Sequence, residues 1–258
     1  MIGIIPAAGA GQRIQPLGCS KELLPVGTRR VQAPTHGIDR PKAVAEYLVE
    51  RMIAAGAEQI CMVISAEKSD IVRYFAEREF AAQIFYVVQQ QPQGLCDALF
   101  RAEPFTRSHE KVLIGLPDTI WFPENGYRTA LAPENFRDAG VNLLLFPVDQ
   151  PQHFDSVVCD ELGYVKRVDV KKPHFESHWV WGAVTTTGSA FRELKLLWES
   201  RHRSDEYLGD LLNASIAAGN IVRATAAGEI YMDVGTLEGY RAAQQYLEKR
   251  ERVTSRVA

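Results

Sequence analysis

Short apolar runs along this chain alternate with stretches whose apolar residues recur at helical spacing. Residues 2–5 (Ile-Gly-Ile-Ile) are short, β-branched and bounded by Pro6 and Gly9, which predicts a buried strand. Asp39 and Pro41 give a helix start, and Val44, Leu48 and Met52, with Tyr47 beside them, keep the helical period until Gly56. Residues 60–64 form a second apolar strand. Ser69 and Asp70 open a helix with Ile71, Val72 and Phe75 on its apolar side, and residues 84–88 are a third strand. The order strand, helix, strand, helix, strand predicts a parallel α/β sheet wound with right-handed crossovers. Ligands on such a sheet bind beyond the carboxyl ends of the strands, where residues 6–13 fall.

The pattern continues with a helix carrying Leu95, Ala98, Leu99 and Ala102, a strand at 112–116, a helix over 126–140 broken at Pro133, and a strand at 141–146. It then becomes β-rich at 156–159, 164–170 and 179–187, with a turn at Leu162-Gly163, as if strands were added to one side of the parallel sheet. Ser189 is placed to cap a helix bearing Phe191, Leu194, Leu197 and Trp198. A helix over 205–218, short strands at 221–225 and 230–232, and an amphipathic helix from Leu237 to about 250 complete the chain. The polar segment 27–40, rich in Gly, Pro, Thr and Arg, exceeds a normal connection and is expected to be a flap or interface loop.

The length of 258 residues suffices for a full core, and a net charge of −3 offers no basic surface for a nucleic-acid polymer. Four scattered cysteines (Cys19, Cys61, Cys96, Cys159) lack metal-ligand spacing and suit a reducing compartment. With no leader-like start and no apolar run near ~18 residues, a soluble cytoplasmic protein with no membrane partner is expected. The six histidines form no metal set, and no Gly-x-Ser-x-Gly elbow marks a hydrolase.

Candidate chemistry concentrates in Pro6-Ala7-Ala8-Gly9-Ala10-Gly11-Gln12-Arg13, followed by Lys21-Glu22-Leu23-Leu24-Pro25. Small residues let a backbone with exposed N–H groups approach phosphate, and Arg13 and Lys21 add positive charge. A Gly-rich turn carrying two surface cations fits the string as well. It is neither a Walker loop, which needs Gly-Lys-Ser/Thr, nor the dinucleotide fingerprint, because Ile14 stands at the third glycine. As a whole it resembles the GxGxR…P…K…LP signature of the sugar-1-phosphate nucleotidyltransferases (nucleotide-sugar pyrophosphorylases), nearest to glucose-1-phosphate thymidylyltransferase-like members.

Four later motifs follow in that family's order. Gln89 to Leu95 resembles Q-x-x-P-x-G-L, implying that Gln89 and Gly94 meet the base, with Gln91 a substitute if the loop is shifted. Asp118 falls at G-D-N and Asp233 at D-x-G-T, implying a pair of Mg²⁺ carboxylates. Lys172 matches the lysine of E-K-P that meets the sugar phosphate, while Lys171 replaces the sugar-binding glutamate and, by strand alternation, should face away from the phosphate. Asp155-Ser156-Val157 stands at the family's Tyr-Gly-Val, so a sugar-contacting glycine is missing; Gly182 can let a sugar approach the backbone, although a bulge also explains it.

The resemblance implies a Rossmann-like, mostly parallel mixed sheet flanked by helices with a β-rich sugar-binding subdomain. The single domain would divide into a nucleotide half (1–147) and a sugar-phosphate half (148–258). The implied reaction joins a nucleoside triphosphate, dTTP before UTP, to a sugar 1-phosphate with Mg²⁺, releasing pyrophosphate. Arg13, Lys21 and Lys172 would be catalytic; Ala7, Ala8, Gly9, Gly11, Gln89 and Gly94 would bind nucleotide; Lys171 and Gly182 would face the sugar. A homo-oligomer is compatible with this reading. Two rivals remain open: a cytidylyltransferase for a small phosphorylated alcohol such as phosphocholine, and a non-catalytic nucleotide-sugar-binding module.

Overall fold

The protein is described from a computed structural model covering residues 1–31, 37–91, 93–136 and 139–254. The first part of the chain forms β1 (Ile2–Pro6), β2 (Pro25–Val31), β3 (Ile38–Ala43), α1 (Val44–Ala54), β4 (Gln59–Ser65), α2 (Ser69–Ala76), β5 (Gln83–Gln89) and α3 (Gly94–Phe100). Next come β6 (Lys111–Gly115), β7 (Thr119–Phe122), α4 (Gly126–Ala130), α5 (Pro133–Phe136) and β8 (Val141–Pro147). The last part holds β9 (Asp155–Cys159), β10 (Val165–Val170), β11 (Trp179–Thr187), α6 (Gly188–Ser200), α7 (Leu208–Ala217), β12 (Val222–Thr225), β13 (Ile230–Asp233) and α8 (Leu237–Thr254). None of the helices is long and apolar enough to cross a membrane, among the described residues.

Nine strands build one mixed sheet in the order β10-β9-β11-β6-β1-β4-β5, with β8 on the other edge of β11 and β12 beyond it. The strands β6, β1, β4 and β5 are mutually parallel, as the alternation of strand and helix requires. Antiparallel β11 joins this parallel part to the later strands, pairing with β6 through Ala183 to Thr187 and with β9 at Val180. Both faces of the parallel part are covered, which is why its strands read as unbroken apolar runs. Ile2 and Ile4 pack on one face with Cys61, Val63, Val112 and Ile114, while Ile5 packs on the other with Leu48, Met52, Ile60 and Met62.

Several sequence expectations are corrected. Segment 27–40 is mostly not a loop: β2 and β3 pair as an antiparallel hairpin, with Thr28 opposite Pro41 and Val31 opposite Ile38, although residues 32–36 lie outside the described set. Asp39 and Pro41 therefore belong to β3, and α1 begins at Val44, where the Ala43 N–H donates to Glu46 Oε1 at 2.7 Å. Helix α6 is capped by Thr187, whose hydroxyl accepts the Ala190 N–H, and not by Ser189. The short strand β7 went unforeseen because its four residues follow the Asp118 motif directly. Region 126–140 resolves into α4 and α5, with 137–138 outside the described residues. Helix α7 starts at Leu208, because residues 201–205 form a tight latch in which Arg201 grips Asp205 at 2.7 and 2.8 Å.

Candidate active site

Where β1 ends, the Ala7 N–H donates to Val63 O at 2.7 Å, carrying the backbone one residue beyond the sheet before it turns. Ala7 and Ala8 are buried, whereas Gly9 has open space around it. Gly11 takes φ +67°, and an ideal Cβ there would lie 2.9 Å from Lys21 Cδ, so a larger residue would be strained and would displace Lys21.

The loop is braced from beneath by residues the sequence did not single out. Lys68 Nζ donates to Ala7 O at 2.8 Å and to both Glu22 oxygens at 2.7 and 2.9 Å. Glu22 is only 1% exposed and Lys68 8%. Asp70, at the start of α2, accepts the Ser20 N–H at 2.7 Å and its hydroxyl at 2.6 Å, fixing the approach to Lys21. The available signal was a charged residue, Glu22, inside an apolar string.

Asp118 and Asp233 are far apart in sequence but meet through β7 and β13, whose antiparallel register sets Asp233 opposite Thr119. The Val234 N–H also donates to Asp118 O at 2.8 Å. Lys21 Nζ donates to Asp118 Oδ2 at 2.5 Å, and Arg13 Nη1 to Asp233 Oδ2 at 2.8 Å. An ideal Cβ on Gly235 would stand 2.6 Å from Asp118 Oδ2, 2.9 Å from Asp233 Oδ1 and 3.3 Å from Arg13 Nη2. The two carboxylates thus border one small space that only glycine leaves open.

Burial acts to raise the Asp118 carboxyl, but the adjoining Lys21 ammonium, its hydrogen bond and Arg13 together hold it below the ordinary range. Burial likewise acts to lower Lys21, yet Asp118, backed by Glu22 and Asp233, raises it. Both groups are therefore held charged at neutral pH.

These groups border a cleft of about 1000 Å³. Of the residues selected from sequence, Ala8, Gly9, Arg13, Lys21, Gln89, Gly94, Asp118 and Asp233 line it. Ala7 and Gly11 shape the loop without being part of that lining. Pro92, from which the glutamine motif was counted, lies outside the described residues. Gly94 takes φ +87° and sits against Glu206, whose carbonyl accepts the Leu95 N–H at 3.0 Å and so caps α3.

At the other group of lining residues the sequence expectation is off by one. Lys171 lines the cleft, with its Nζ 4.2 Å from the centre of the Tyr207 ring. Lys172 is outside the lining, largely exposed, and donates to Asp169 Oδ1 at 2.8 Å. Strand alternation failed as a guide because β10 ends at Val170 and Lys171 turns into the left-handed region at φ +46°. Gly182 does not line the cleft either: the Tyr231 ring would lie 2.4 Å and Phe146 2.8 Å from a Cβ there. Its glycine serves close ring packing at the irregularity between Trp181 and Ala183.

Asp155 and Trp181 line the cleft beside Lys171, and Trp181 Nε1 donates to Asp155 Oδ2 at 3.3 Å. Burial pushes the Asp155 carboxyl up, against the Trp181 hydrogen bond and the Lys171 charge.

The residues suit a divalent cation of the Mg²⁺ kind. Two carboxylates border one space, while no set of three or more His, Cys, Asp or Glu converges among the described residues. Mg²⁺ commonly takes one or two carboxylates and completes its shell with water and substrate phosphate.

Comparison with known proteins places the chain among nucleotidyltransferases. The family model described as Nucleotidyl transferase matches residues 2–250. A glucose-1-phosphate thymidylyltransferase of Neisseria meningitidis is 26% identical over 96% of this chain and 83% of its own length. A putative UTP–glucose-1-phosphate uridylyltransferase of Bacillus subtilis is 29% identical over 92% of this chain and 93% of its own. Among solved structures, a putative glucose-1-phosphate thymidylyltransferase from Bacillus anthracis superposes with a TM-score of 0.79 at 23% identity, covering 96% of this chain and 95% of that one. A UTP-bound UGPase from Acinetobacter baumannii gives 0.73 at 19% identity, covering 100% and 99%. These two share the fold.

Proposed function

Because the chain belongs to the Nucleotidyl transferase family, we propose that it joins a nucleoside triphosphate to a sugar 1-phosphate, giving a nucleoside-diphosphate sugar and pyrophosphate. One observation carries this reading: Arg13, Lys21, Asp118, Asp233 and Lys171, drawn from five separate segments, line a single cleft. The names of the relatives favour a pyrimidine triphosphate, dTTP first and UTP second. We assign the nucleotide to the part of the chain before residue 148 and the sugar phosphate mainly to the part after it.

The chemistry needs little covalent help, since the attacking phosphate oxygen is already an anion. The barrier lies in bringing two anions together and stabilising charge on the departing pyrophosphate. The loop after β1 and Arg13 hold the outer phosphates, and Lys21, fixed by Asp118, stands beside the reacting group. Because Lys171 lines the cleft and Lys172 does not, we assign Lys171 the task of orienting the sugar phosphate. Asp118 and Asp233 would hold Mg²⁺, which supplies charge neutralisation on the phosphates when bound. Preorganised charge of this kind supplies most of the rate in such reactions, and one lost donor costs about 2.7–4 kcal/mol. A binding-only module would not need the loop arginine and both aspartates together.

The test is pyrophosphate release from four nucleoside triphosphates with a panel of sugar 1-phosphates, with and without Mg²⁺. Release confined to one pyrimidine triphosphate and abolished by Asp118→Asn and by Asp233→Asn is expected. Absence of release across the whole panel with Mg²⁺ would sink the assignment.

A further inference from the structure

Gln89 closes β5 and lines the cleft, yet it is only 2% exposed. Its Nε2 donates to Asp97 Oδ2 at 2.6 Å. Asp97 lies on α3, 6% exposed, and is gripped in turn by Arg101, whose Nε reaches Oδ2 at 2.8 Å and Nη2 reaches Oδ1 at 3.3 Å. A carboxylate held by a guanidinium can only accept hydrogen bonds. The end of the Gln89 amide facing it must therefore be the NH₂ group, whatever the side chain meets elsewhere.

A free glutamine amide is ambivalent: it can turn either end toward a base edge and so tolerates donors and acceptors alike. This one cannot turn without setting its carbonyl oxygen against the Asp97 carboxylate inside the fold. Oε1 is then fixed as the acceptor turned away from Asp97, and the second Nε2 hydrogen stays beside it as a fixed donor, so a base in the cleft meets one set order of acceptor and donor.

We propose that Asp97 is a specificity-determining positioning residue: by fixing the Gln89 amide, it admits bases that present a ring N–H to that oxygen. Uracil and thymine do so through N3–H. Cytosine seated in the same way presents a bare N3 acceptor, so two lone pairs would face each other. Guanine also has a ring N–H, so the rule disfavours cytosine and adenine in that seat and leaves the choice between uracil, thymine and guanine to the size and shape of the slot. The inference rests on the nucleotidyltransferase reading above. It goes further by locating base choice in an acid that need not touch the nucleotide.

The experiment is calorimetric titration of the full chain with UTP, dTTP and CTP in Mg²⁺, for the native protein and for Asp97→Ala, Asp97→Asn and Gln89→Leu. Circular dichroism verifies each fold. The native protein should bind UTP or dTTP about tenfold or more tightly than CTP, since an acceptor facing an acceptor loses its hydrogen bond. Asp97→Ala should lose most of that ratio. Asp97→Asn should retain it, because its single oxygen can still accept from Gln89 Nε2 and Arg101 Nε. Gln89→Leu leaves the Asp97–Arg101 pair intact and should lose the ratio even if Asp97→Ala does not fold. An unchanged ratio in Gln89→Leu, or in a folded Asp97→Ala that weakens all three nucleotides equally, overturns the proposal while the transferase reading stands. Preference of the native protein for CTP overturns it in the same way. A native protein that binds none of the three overturns the pyrimidine preference and this inference with it, and the transferase reading falls too only if the four-triphosphate panel gives no pyrophosphate release.

Discussion

Replacing Lys68 by Met tests the brace beneath the glycine-rich loop after β1. In the native fold Lys68 makes three hydrogen bonds, two to the Glu22 carboxylate and one to the Ala7 carbonyl, at a site from which water is nearly excluded. Methionine fills similar volume but leaves Glu22 as a buried carboxylate without its main partner. Breaking a buried pair in this one-sided way costs about 3–5 kcal/mol. Burial already pushes the Glu22 carboxyl up, and Lys68 is the chief group opposing that shift. In Lys68→Met the folded-state pKa must therefore rise further above the unfolded value. A carboxyl with a raised folded pKa binds more protons folded than unfolded between the two values. Relative to the native protein, whose Glu22 is already raised, the penalty is hence smallest at acid pH and grows by up to about 1.4 kcal/mol per pH unit between the native and the mutant folded pKa. Urea unfolding of both proteins from pH 4.5 to 7.5 reads this directly, and Lys68→Met/Glu22→Leu should recover much of the loss. A destabilisation below about 1 kcal/mol at pH 7.5, or one that does not shrink on acidification, would refute the reasoning.

Gly235→Ala should place a methyl between Asp118 and Asp233, lowering pyrophosphate release about 100-fold while costing about 1–3 kcal/mol of stability; retained turnover would show that the space between the carboxylates is not used. Lys171→Ala should raise KM for the sugar phosphate about tenfold or more, the worth of one charge-assisted contact, while Lys172→Ala should change it by less than about threefold; the reverse order in kcat/KM would restore the sequence-based register. Glu103 is pushed up by its burial but held below the ordinary carboxylate value by hydrogen bonds and charge from Lys195 and Arg192. Its contribution is complete above the unfolded pKa and lost as pH falls through the lower folded one. Glu103→Gln should thus cost about 1 kcal/mol at pH 7, discounted for solvent screening of the two cations, and little near pH 3. Equal costs at both pH values in urea titrations would contradict this.

The backbone plan and the glycine-rich loop after β1 were legible in the sequence because both are written locally. The period of the apolar residues in β1, α1, β4, α2 and β5 defines which faces are buried, and the crossover rule then orders the strands. The loop from Pro6 to Arg13 needs small residues and a positive φ at Gly11, requirements a string of letters can display. Asp118 and Asp233 were found as ends of strands, and their meeting followed from the order of motifs.

Tertiary structure decided what depends on a single residue's direction or on a distant partner. Lys171 enters the cleft and Lys172 leaves it because one residue after β10 adopts φ +46°, a reversal that alternation cannot anticipate. Gly182 read either as a bulge or as a space for sugar; the strand is irregular there, and an aromatic ring from β13 fills the space. The hairpin β2–β3 escaped notice because its residues are polar and its partner strand begins beyond a proline-containing segment. The Lys68–Glu22 and Gln89–Asp97–Arg101 contacts were equally hidden, since buried polar groups choose partners by position in space. Sequence determined where backbone and charge would gather; only the packed fold determined which charge faces the cleft and which is locked behind it.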